Sequence, residues 1–311
     1  MYDHQAKKLN EQGTFKEIVV EISARQLSAK SETLRQMSMF LTQAVFMEVC
    51  VHPKPGLVTR HGGGAHTDMS ILTFAAGSAV LAKAFSDLQI LGMKHNGNYQ
   101  ELFGKVRRYG VSAEQELLRV TKGVNTQRGI LFAAAGAAMN KGLDSKALCS
   151  IVAEMTQGLT ENELAGLQAD RPLTAGERLY QAYGITGIRG EVEAGFPSVR
   201  QNGLPGLKEA FAKGAGLNDA LVHALVHLMT VVQDSNVIWR GGYAKLPFVQ
   251  QRARDILAQG SIFTDSGRRL LAESEELFRN ERISPGGSAD LLSVTAALYL
   301  VENKEFPVAI I

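Results

Sequence analysis

The sequence predicts an all-α fold, formed as a single multi-helix globular domain with functional glycine-bearing loops between its helices. Apolar residues recur close to every 3.6 residues along most of the 311-residue chain, which is the helical period. Alternation of apolar and polar residues, which is typical of β-strands, is scarce, and only residues 17–22 have a strand-like pattern. The chain has neither a βαβ rhythm nor a Walker-type or GxGxxG loop after a strand, so a nucleotide-binding α/β fold is not expected.

Two regions are expected, a polar N-terminal extension at residues 1–30 and an all-helical catalytic domain at residues 31–311. The first helix is predicted to begin at Ser31 and to end by Pro53, because proline lacks the backbone N–H that a helix needs. The further helices are predicted at about residues 70–91, 101–121, 128–141, 145–158, 217–239, 244–259, 265–279 and 287–302. No Ser/Gly-rich linker divides them, which favours one domain.

Charge and composition exclude several classes of protein. The 33 basic and 31 acidic residues give a formal net charge of +2, so no global field favours nucleic acid. The two cysteines, Cys50 and Cys149, are too few for a zinc ribbon and suit a reducing compartment. The N-terminus lacks a hydrophobic signal core, and the weakly charged run at residues 69–82 is shorter than the roughly 20 residues that span a bilayer. We therefore expect a soluble cytoplasmic protein without a nucleic-acid or membrane partner.

The stretch from Gly184 to Pro197 is the most unusual part of the sequence, because it places four glycines in fourteen residues of an otherwise helical chain. A glycine costs a helix roughly 0.8–1 kcal/mol relative to alanine, so the cluster predicts positive φ or close approach to another group. Arg189 suits an anion, and Glu191 and Glu193 suit metal binding or proton transfer. The alternative is an ordinary turn with solvated charges. On a regular helix the two glutamates would point about 200° apart, so both reach one site only if the segment is irregular.

Two more polar segments precede predicted helices. Between residues 54 and 69, Lys54 and Arg60 supply positive charge beside three successive glycines, and Asp68 is either a helix N-cap or a ligand of metal or substrate. The turn at residues 123–129 precedes a predicted helix, and such a turn is a natural anion site.

Two further segments lie in the C-terminal third. At the end of the predicted helix 217–239, Asp234 and Asn236 offer oxygen ligands for Mg²⁺, and Arg240 suits a phosphate. Around residues 283–292, Ser288 can cap a helix and Asp290 lies in its first turn, so a well-capped helix start is the alternative to a site.

One arrangement of histidines has the spacing of metal ligands. His223, His227 and Asp234 share one face if the predicted helix 217–239 is continuous. No glutamate completes an HExxH pattern, and amphipathic helices often carry such side chains at their rim. The polar rim is therefore the favoured interpretation.

Taken together, these segments resemble the triphosphoribosyl-dephospho-coenzyme A synthase family, which makes the prosthetic-group precursor of citrate lyase and malonate decarboxylase. The resemblance runs from about Leu34 to Leu300. The motifs that carry it are Pro53–Val58, Gly64–His66 with Asp68–Met69, Gly123–Thr126, Gly176–Tyr180, Gly187 with Arg189–Glu191 and Glu193–Gly195, Asp234 with Asn236, Arg240–Gly242, and Ser284–Leu292. The chain departs from the family's usual residues at Thr59, at Gln127–Arg128 and mildly at Ser235, and Gln127 cannot transfer a proton as histidine does.

The resemblance implies a glycosyl transfer on ATP. The 2′-hydroxyl of 3′-dephospho-coenzyme A attacks C1′ of the ATP ribose, adenine leaves, and the triphosphate is retained. Such a reaction needs a general base, a carboxylate near the oxocarbenium-like centre, and Mg²⁺ with Arg or Lys for the phosphates. A separate enzyme would then load the product onto an acyl-carrier subunit. Whether citrate lyase or malonate decarboxylase receives it, and whether the enzyme is a homodimer, stay open.

The resemblance also implies roles for residues. The implied catalytic residues are His66 as proton carrier, Asp68, Glu191 and Glu193, and the implied Mg²⁺ ligands are Asp68, Asp234 and Asp290. The implied substrate-binding residues are Lys54, Gly56, Asn125, Thr126, Arg128, Glu177, Arg178, Arg189, Gly190, Asn236, Arg240, Gly286, Gly287 and Ser288. Two alternatives remain at this stage, a Mg²⁺-dependent hydrolase of nucleotides or ADP-ribose-like ligands and a catalytically silent nucleotide-binding protein.

Overall fold

The computed structural model describes residues 29–124, 144–165 and 172–309, and side chains within the first helix from residue 36 onward. Within these ranges the chain is helical and contains no β-strand; Thr59 and Gly62 form an isolated bridge. The predicted all-α class is therefore confirmed. The strand-like pattern at residues 17–22 and the predicted helix at 128–141 lie outside the described residues.

Twelve α-helices occupy the described part of the chain, numbered here in order. They are α1 Ala29–Cys50, α2 Ile71–Lys94, α3 Tyr99–Val120, α4 Ser145–Met155, α5 Ala175–Tyr183, α6 Ile188–Glu193, α7 Leu204–Ala212, α8 Leu217–Met229, α9 Ser235–Gly241, α10 Lys245–Ala258, α11 Asp265–Asn280 and α12 Gly286–Asn303. Short π-helical turns span Glu161–Ala165 and Val199–Gly203, and a 3₁₀ turn spans Ser261–Phe263.

The predicted helix 217–239 is in fact two helices, α8 and α9. The break occurs because Asp234 caps α9, and its Oδ1 accepts hydrogen bonds from the backbone N–H groups of Asn236 at 3.1 Å and Val237 at 3.4 Å. An aspartate that binds backbone donors in this way starts a new helix rather than continuing the previous one. The prediction that Asp234 shares a helical face with His223 and His227 is therefore wrong.

Helix α12 lies in the core and is apolar on all sides. Its residues from Leu291 to Val301 are all buried, and the helix packs against α1, α7, α8 and α4. Helix α8 is similarly enclosed, with Ala220 to Val226 buried. Each fully buried leucine or valine contributes about 1.5–3 kcal/mol, so burial of these two helices stabilises the fold strongly. The apolar faces of α8 are covered by this chain itself.

Helix α2 is long and apolar enough, by length and composition, to cross a membrane. It runs to Lys94, beyond the short apolar run considered from sequence, and passes through an ion pair between Lys83 and Asp87. One side of α2 packs on α1 and α3 and buries residues such as Leu81 and Phe85. Core helices of folded domains pass the same test of length and composition, so α2 alone is weak evidence for a membrane span.

Candidate active site

A cavity of about 720 Å³ lies where most of the glycine-bearing segments meet. It is bounded by the end of α1, one face of α3, and the starts of α5, α6, α9 and α12. Its volume is within the range of about 300–1,000 Å³ that is usual for small-molecule sites. The predicted site residues that line it are His66, Arg189, Gly190, Glu191, Asn236, Arg240, Gly286, Gly287 and Asp290.

The described part of the cavity wall carries more acids than bases. Among the residues that the structure describes, five carboxylates line the cavity, Glu48, Glu114, Glu163, Glu191 and Asp290, against three arginines, Arg107, Arg189 and Arg240. A site of this composition repels a bare polyanion and attracts cations. This balance limits what the cavity can bind without a metal ion.

The glycine-rich segment before α6 forms one wall of the cavity. Gly187 has φ 56° and ψ −141°, a conformation that is essentially restricted to glycine. At Gly190 an added Cβ would lie 2.0 Å from Thr186 Oγ1, so the helix and the preceding turn touch only because the side chain is absent. The prediction that these glycines serve positive φ or close approach is confirmed at both positions.

Helix α6 is regular, and its two glutamates diverge. The Glu191 carboxylate lines the cavity and accepts hydrogen bonds from the hydroxyl and the backbone N–H of Ser198. Burial raises the pKa of Glu191, and the two bonds from Ser198 oppose that shift. The Glu193 carboxylate instead accepts from the backbone N–H groups of Gly158 at 2.6 Å and Thr160 at 3.0 Å, away from the cavity. The structure therefore brings only the first glutamate to the site.

His66 is held between a serine and an arginine. Its Nε2 lies 2.8 Å from Ser284 Oγ, and its Nδ1 lies 3.3 Å from Arg240 Nη1. Because a guanidinium can only donate, Nδ1 must accept, which leaves the proton on Nε2 to be donated to Ser284. Burial and then the charge of Arg240 lower the pKa of His66, so the ring is neutral near pH 7. Asp68 opposes this shift from 3.7 Å, but its side chain is 61% exposed and does not line the cavity.

Arg189 reaches the cavity as part of an ion network. Its Nε donates to Glu163 Oε2 at 2.7 Å, and Arg107 lies 2.7 Å from the other oxygen of the same carboxylate. Neither Arg107 nor Glu163 was among the site residues predicted from sequence. Both lie in helical segments whose charges are typical of a solvated face, so no local signal marked them.

A buried ion pair lies beneath the cavity. The Lys54 ammonium is 1% exposed and donates to the side chain and backbone carbonyl of Glu48. Glu48 lines the cavity and Lys54 does not, so the structure does not place this ammonium where it could touch a phosphate. Glu48 was not among the predicted site residues, although the sequence carries a signal for it. Leu41 and Val45 lie on the same helical face, where an acid is unusual.

Asp290 is the carboxylate with the least local compensation. Among the described residues it has neither a hydrogen-bond partner nor an ion pair, and it lines the cavity. Burial, reinforced by the negative charges of Glu48 and Asp234, raises the pKa of Asp290 well above its usual value. A proton or a bound cation is therefore needed to neutralise this group.

Asp234 links the starts of α9 and α12 through its hydrogen bonds, and this linkage of Asp234 with Ser288 is called the bracket below. Its Oδ1 caps α9, and its Oδ2 accepts from the backbone N–H of Ser288 at 2.8 Å and from the Ser288 hydroxyl at 3.0 Å. Neither Asp234 nor Ser288 lines the cavity. Gly287 packs on this bracket, since an added Cβ there would lie 3.2 Å from the carboxylate. The bracket thereby fixes the glycines that do line the cavity.

The other predicted site residues lie away from the cavity or outside the described residues. Glu177 forms a capping box with Thr174 at the start of α5. Arg178 donates to the Leu173 carbonyl and lies 5.8 Å over the ring of Trp239. Gly56 has φ 75° and packs against the Ile283 carbonyl. The predicted residues outside the described ranges are Asn125, Thr126 and Arg128.

Comparison with known proteins agrees with the motifs. The sequence profile of the ATP:dephospho-CoA triphosphoribosyl transferase family matches residues 34–306. A probable 2-(5''-triphosphoribosyl)-3'-dephosphocoenzyme-A synthase of Malonomonas rubra is 39% identical over 87% of this chain and 89% of its own length. The synthase of Klebsiella pneumoniae is 36% identical over 88% of this chain and 93% of its own, and no solved structure shows a significant match. The chain therefore belongs to the ATP:dephospho-CoA triphosphoribosyl transferase family, as its motifs indicated.

Proposed function

We propose that the 720 Å³ cavity is where this chain transfers the triphosphoribosyl group of ATP to the 2′-hydroxyl of 3′-dephospho-coenzyme A. In that reaction a C1′–oxygen bond forms, the bond from C1′ to adenine breaks, the hydroxyl loses a proton and adenine gains one. The observation that carries the proposal is the composition of the cavity. Carboxylates suited to a ribosyl cation and arginines suited to phosphates line the same space.

Mg²⁺ is the cofactor that the acidic cavity fits. The uncompensated Asp290 carboxylate and the neighbouring Glu48 carboxylate offer the hard oxygen ligands that Mg²⁺ prefers. When bound, the ion would neutralise triphosphate oxygens and favour one orientation of them. Asp234 already accepts four hydrogen bonds, so its role is to position the starts of α9 and α12. Asp68 contributes through its contact with His66.

Arginines at two sides of the cavity bind the phosphates. Arg240 holds His66 and the Ala65 carbonyl while lining the cavity, and Arg189 and Arg107 share Glu163. Because two guanidinium groups share one carboxylate, that cluster keeps a net positive charge for a phosphate oxygen. Gly286 and Gly287 allow the start of α12 to approach the same region.

Glu191 is the group that acts on the reacting atoms. Ser198 fixes its carboxylate through two hydrogen bonds, and a raised pKa makes it a stronger base than an exposed glutamate. Its negative charge stabilises the ribosyl cation as adenine departs, and it then accepts the proton as the hydroxyl adds to C1′. The neutral His66 ring donates to Ser284, whose hydroxyl is then placed to donate a hydrogen bond to the leaving adenine. The proton that adenine finally gains comes from water, which takes up the proton released by the attacking hydroxyl.

The product places the enzyme before a loading step. The adduct carries a triphosphate that a separate transferase can displace when it attaches the group to an acyl-carrier subunit, as in citrate lyase or malonate decarboxylase. A cytoplasmic location suits this role. The free thiol of Cys149 fits a reducing compartment, and burial raises its pKa to about 11.

The test is Glu191→Gln, with Glu193→Gln as the matched control. Both changes remove one carboxylate from α6, but only Glu191 lines the cavity. In an assay with ATP, Mg²⁺ and dephospho-coenzyme A, followed by mass spectrometry, E191Q should release adenine at least about 100-fold more slowly. E193Q should stay close to wild type, and EDTA in place of Mg²⁺ should stop the reaction.

Each alternative has its own outcome in this assay. Full activity of folded E191Q would remove Glu191 from the mechanism. Accumulation of free ribose triphosphate by the wild type would indicate a hydrolase. ATP binding without any adenine release would indicate a silent nucleotide-binding protein.

A further inference from the structure

Two histidines and a glutamate meet at the junction of α7 and α8, outside the residues that line the cavity. His223 and His227 are one turn apart on α8, and Glu209 reaches them from α7. The two Nε2 atoms lie 3.1 Å apart, and Glu209 Oε2 lies 3.8 Å from that of His223 and 3.9 Å from that of His227. Because α8 ends at Met229, Asp234 does not lie beside the two histidines. Glu209 is the third candidate ligand in its place.

The three ligand atoms have the spacing that one metal ion requires. The point equidistant from the corners of a triangle with these edges lies about 2.1 Å from each, which equals typical Zn–N and Zn–O distances. Small closing movements would lift the ion out of the plane into a tetrahedral site. A water molecule can take the fourth position, because the Glu209 side chain is 43% exposed and that of His227 is 25% exposed.

Residues next to the three candidate ligands hold their side chains in place. His223 Nδ1 lies 2.9 Å from the hydroxyl of the buried Ser261, which directs Nε2 toward Glu209. Gly206 packs on the His227 ring, where an added Cβ would lie 2.7 Å from the imidazole. Lys213 donates to Glu209 Oε1 at 2.6 Å and leaves Oε2 for the histidines.

We propose that Glu209, His223 and His227 bind a borderline divalent transition-metal ion, of which Zn²⁺ fits best, and that the ion clamps α7 to α8. Two imidazoles and one carboxylate suit Zn²⁺ and disfavour Mg²⁺, so this site does not compete for the ion of the cavity. Because α8 is a core helix, the clamp stabilises the folded chain without contacting substrate. The ammonium of Lys213 opposes the ion and keeps its affinity moderate.

The test measures Zn²⁺ binding directly on the full chain after EDTA treatment and dialysis. Isothermal titration should give one equivalent of Zn²⁺ per chain, and Zn²⁺ should raise the melting temperature. Glu209→Gln, which changes a half-exposed side chain and so preserves the fold, should weaken binding more than about tenfold. Lys213→Met should tighten binding, an outcome that a merely structural cluster would not produce.

The matched control is His61→Asn. His61 is exposed and pairs with His52, with ring centroids 4.5 Å apart, so it tests for non-specific binding at another histidine pair. H61N should bind Zn²⁺ as the wild type does. The proposal is overturned if the wild type binds no stoichiometric Zn²⁺, or if H61N weakens binding as much as E209Q. Adenine release by E209Q in Mg²⁺ alone should equal that of the wild type, which separates this site from the proposed active site.

Discussion

Replacement of Asp234 by asparagine tests whether this residue positions two helices through the bracket or binds the metal ion. The carboxylate accepts four hydrogen bonds, two from the first turn of α9 and two from Ser288 at the start of α12. Asparagine keeps one oxygen, which still caps α9, but it turns an NH₂ group toward the backbone N–H of Ser288. The substitution therefore removes one acceptor while it preserves the shape of the side chain and the cap.

The expected cost follows from those contacts. The Ser288 hydroxyl can rotate and accept a hydrogen bond from the new NH₂ group, so only one buried backbone N–H is left unpaired, at about 1–3 kcal/mol. Burial raises the pKa of Asp234, so loss of its charge recovers part of this cost. We expect the free energy of unfolding to fall by about 1–2 kcal/mol in D234N. Asp234→Ala also loses the cap of α9 and should fall by about 1 kcal/mol more.

Urea denaturation followed by circular dichroism measures the stability of D234N. The rate of adenine release at graded Mg²⁺ concentrations shows whether Asp234 binds the metal ion. In D234N we expect slower turnover, because Gly286 and Gly287 line the cavity and the bracket fixes them, with no change in the Mg²⁺ concentration that gives half-maximal rate. Unchanged stability together with a much higher Mg²⁺ requirement would refute the bracket and make Asp234 a metal ligand.

Two other predictions concern buried charges. Lys54→Met should reduce the free energy of unfolding by about 3–5 kcal/mol, because it leaves Glu48 buried without its partner, and Glu48→Gln in the same chain should restore most of that loss in urea denaturation. If K54M is as stable as the wild type, the ion pair does not neutralise Glu48. Acid should also destabilise the metal-free fold, because burial lowers the pKa of His223 to about 4 while the unfolded ring titrates near 6.5, so the unfolded state binds more protons in between. The free energy of unfolding in EDTA should therefore fall by about 1–2 kcal/mol from pH 6.5 to pH 4, after allowance for solvent screening, and His223→Asn should reduce this dependence.

The fold class could be predicted because helical periodicity is a local property of the sequence. The glycines before α6 were also recognisable, since positive φ at Gly187 and the contact of Gly190 with Thr186 arise within a few residues. The end of α8 was not recognised. The apolar pattern continues past Met229, and the cap at Asp234 draws part of its stability from Ser288, more than fifty residues away.

The missed site residues share one physical cause, which is long-range pairing. Arg107 joins the site by pairing with Glu163, and Glu209 joins the histidines of α8 from another helix. Lys54 looked available for a phosphate because its charge is visible in the sequence, whereas its burial against Glu48 is set by the turn around Pro53. Charge can thus be read from sequence, but whether that charge faces the cavity cannot.

Among the described residues that line the cavity, carboxylates outnumber arginines, and this composition fits catalysis better than tight binding. Arg107 and Arg189 share the single carboxylate of Glu163, and Lys54 neutralises Glu48, so only part of the positive charge of the described residues is left for a phosphate. Under the proposed function, a bare triphosphate is therefore repelled, and ATP binding depends on Mg²⁺. The same negative field attracts the positive charge that develops on the ribose as adenine departs, and this charge is absent from the ground state. A cavity lined by arginines would hold ATP more tightly and stabilise that cation less. Under the proposed function, Asp290 and Glu48 hold Mg²⁺, whereas Glu191 acts mainly on the transition state, where a glycosyl transfer needs a carboxylate.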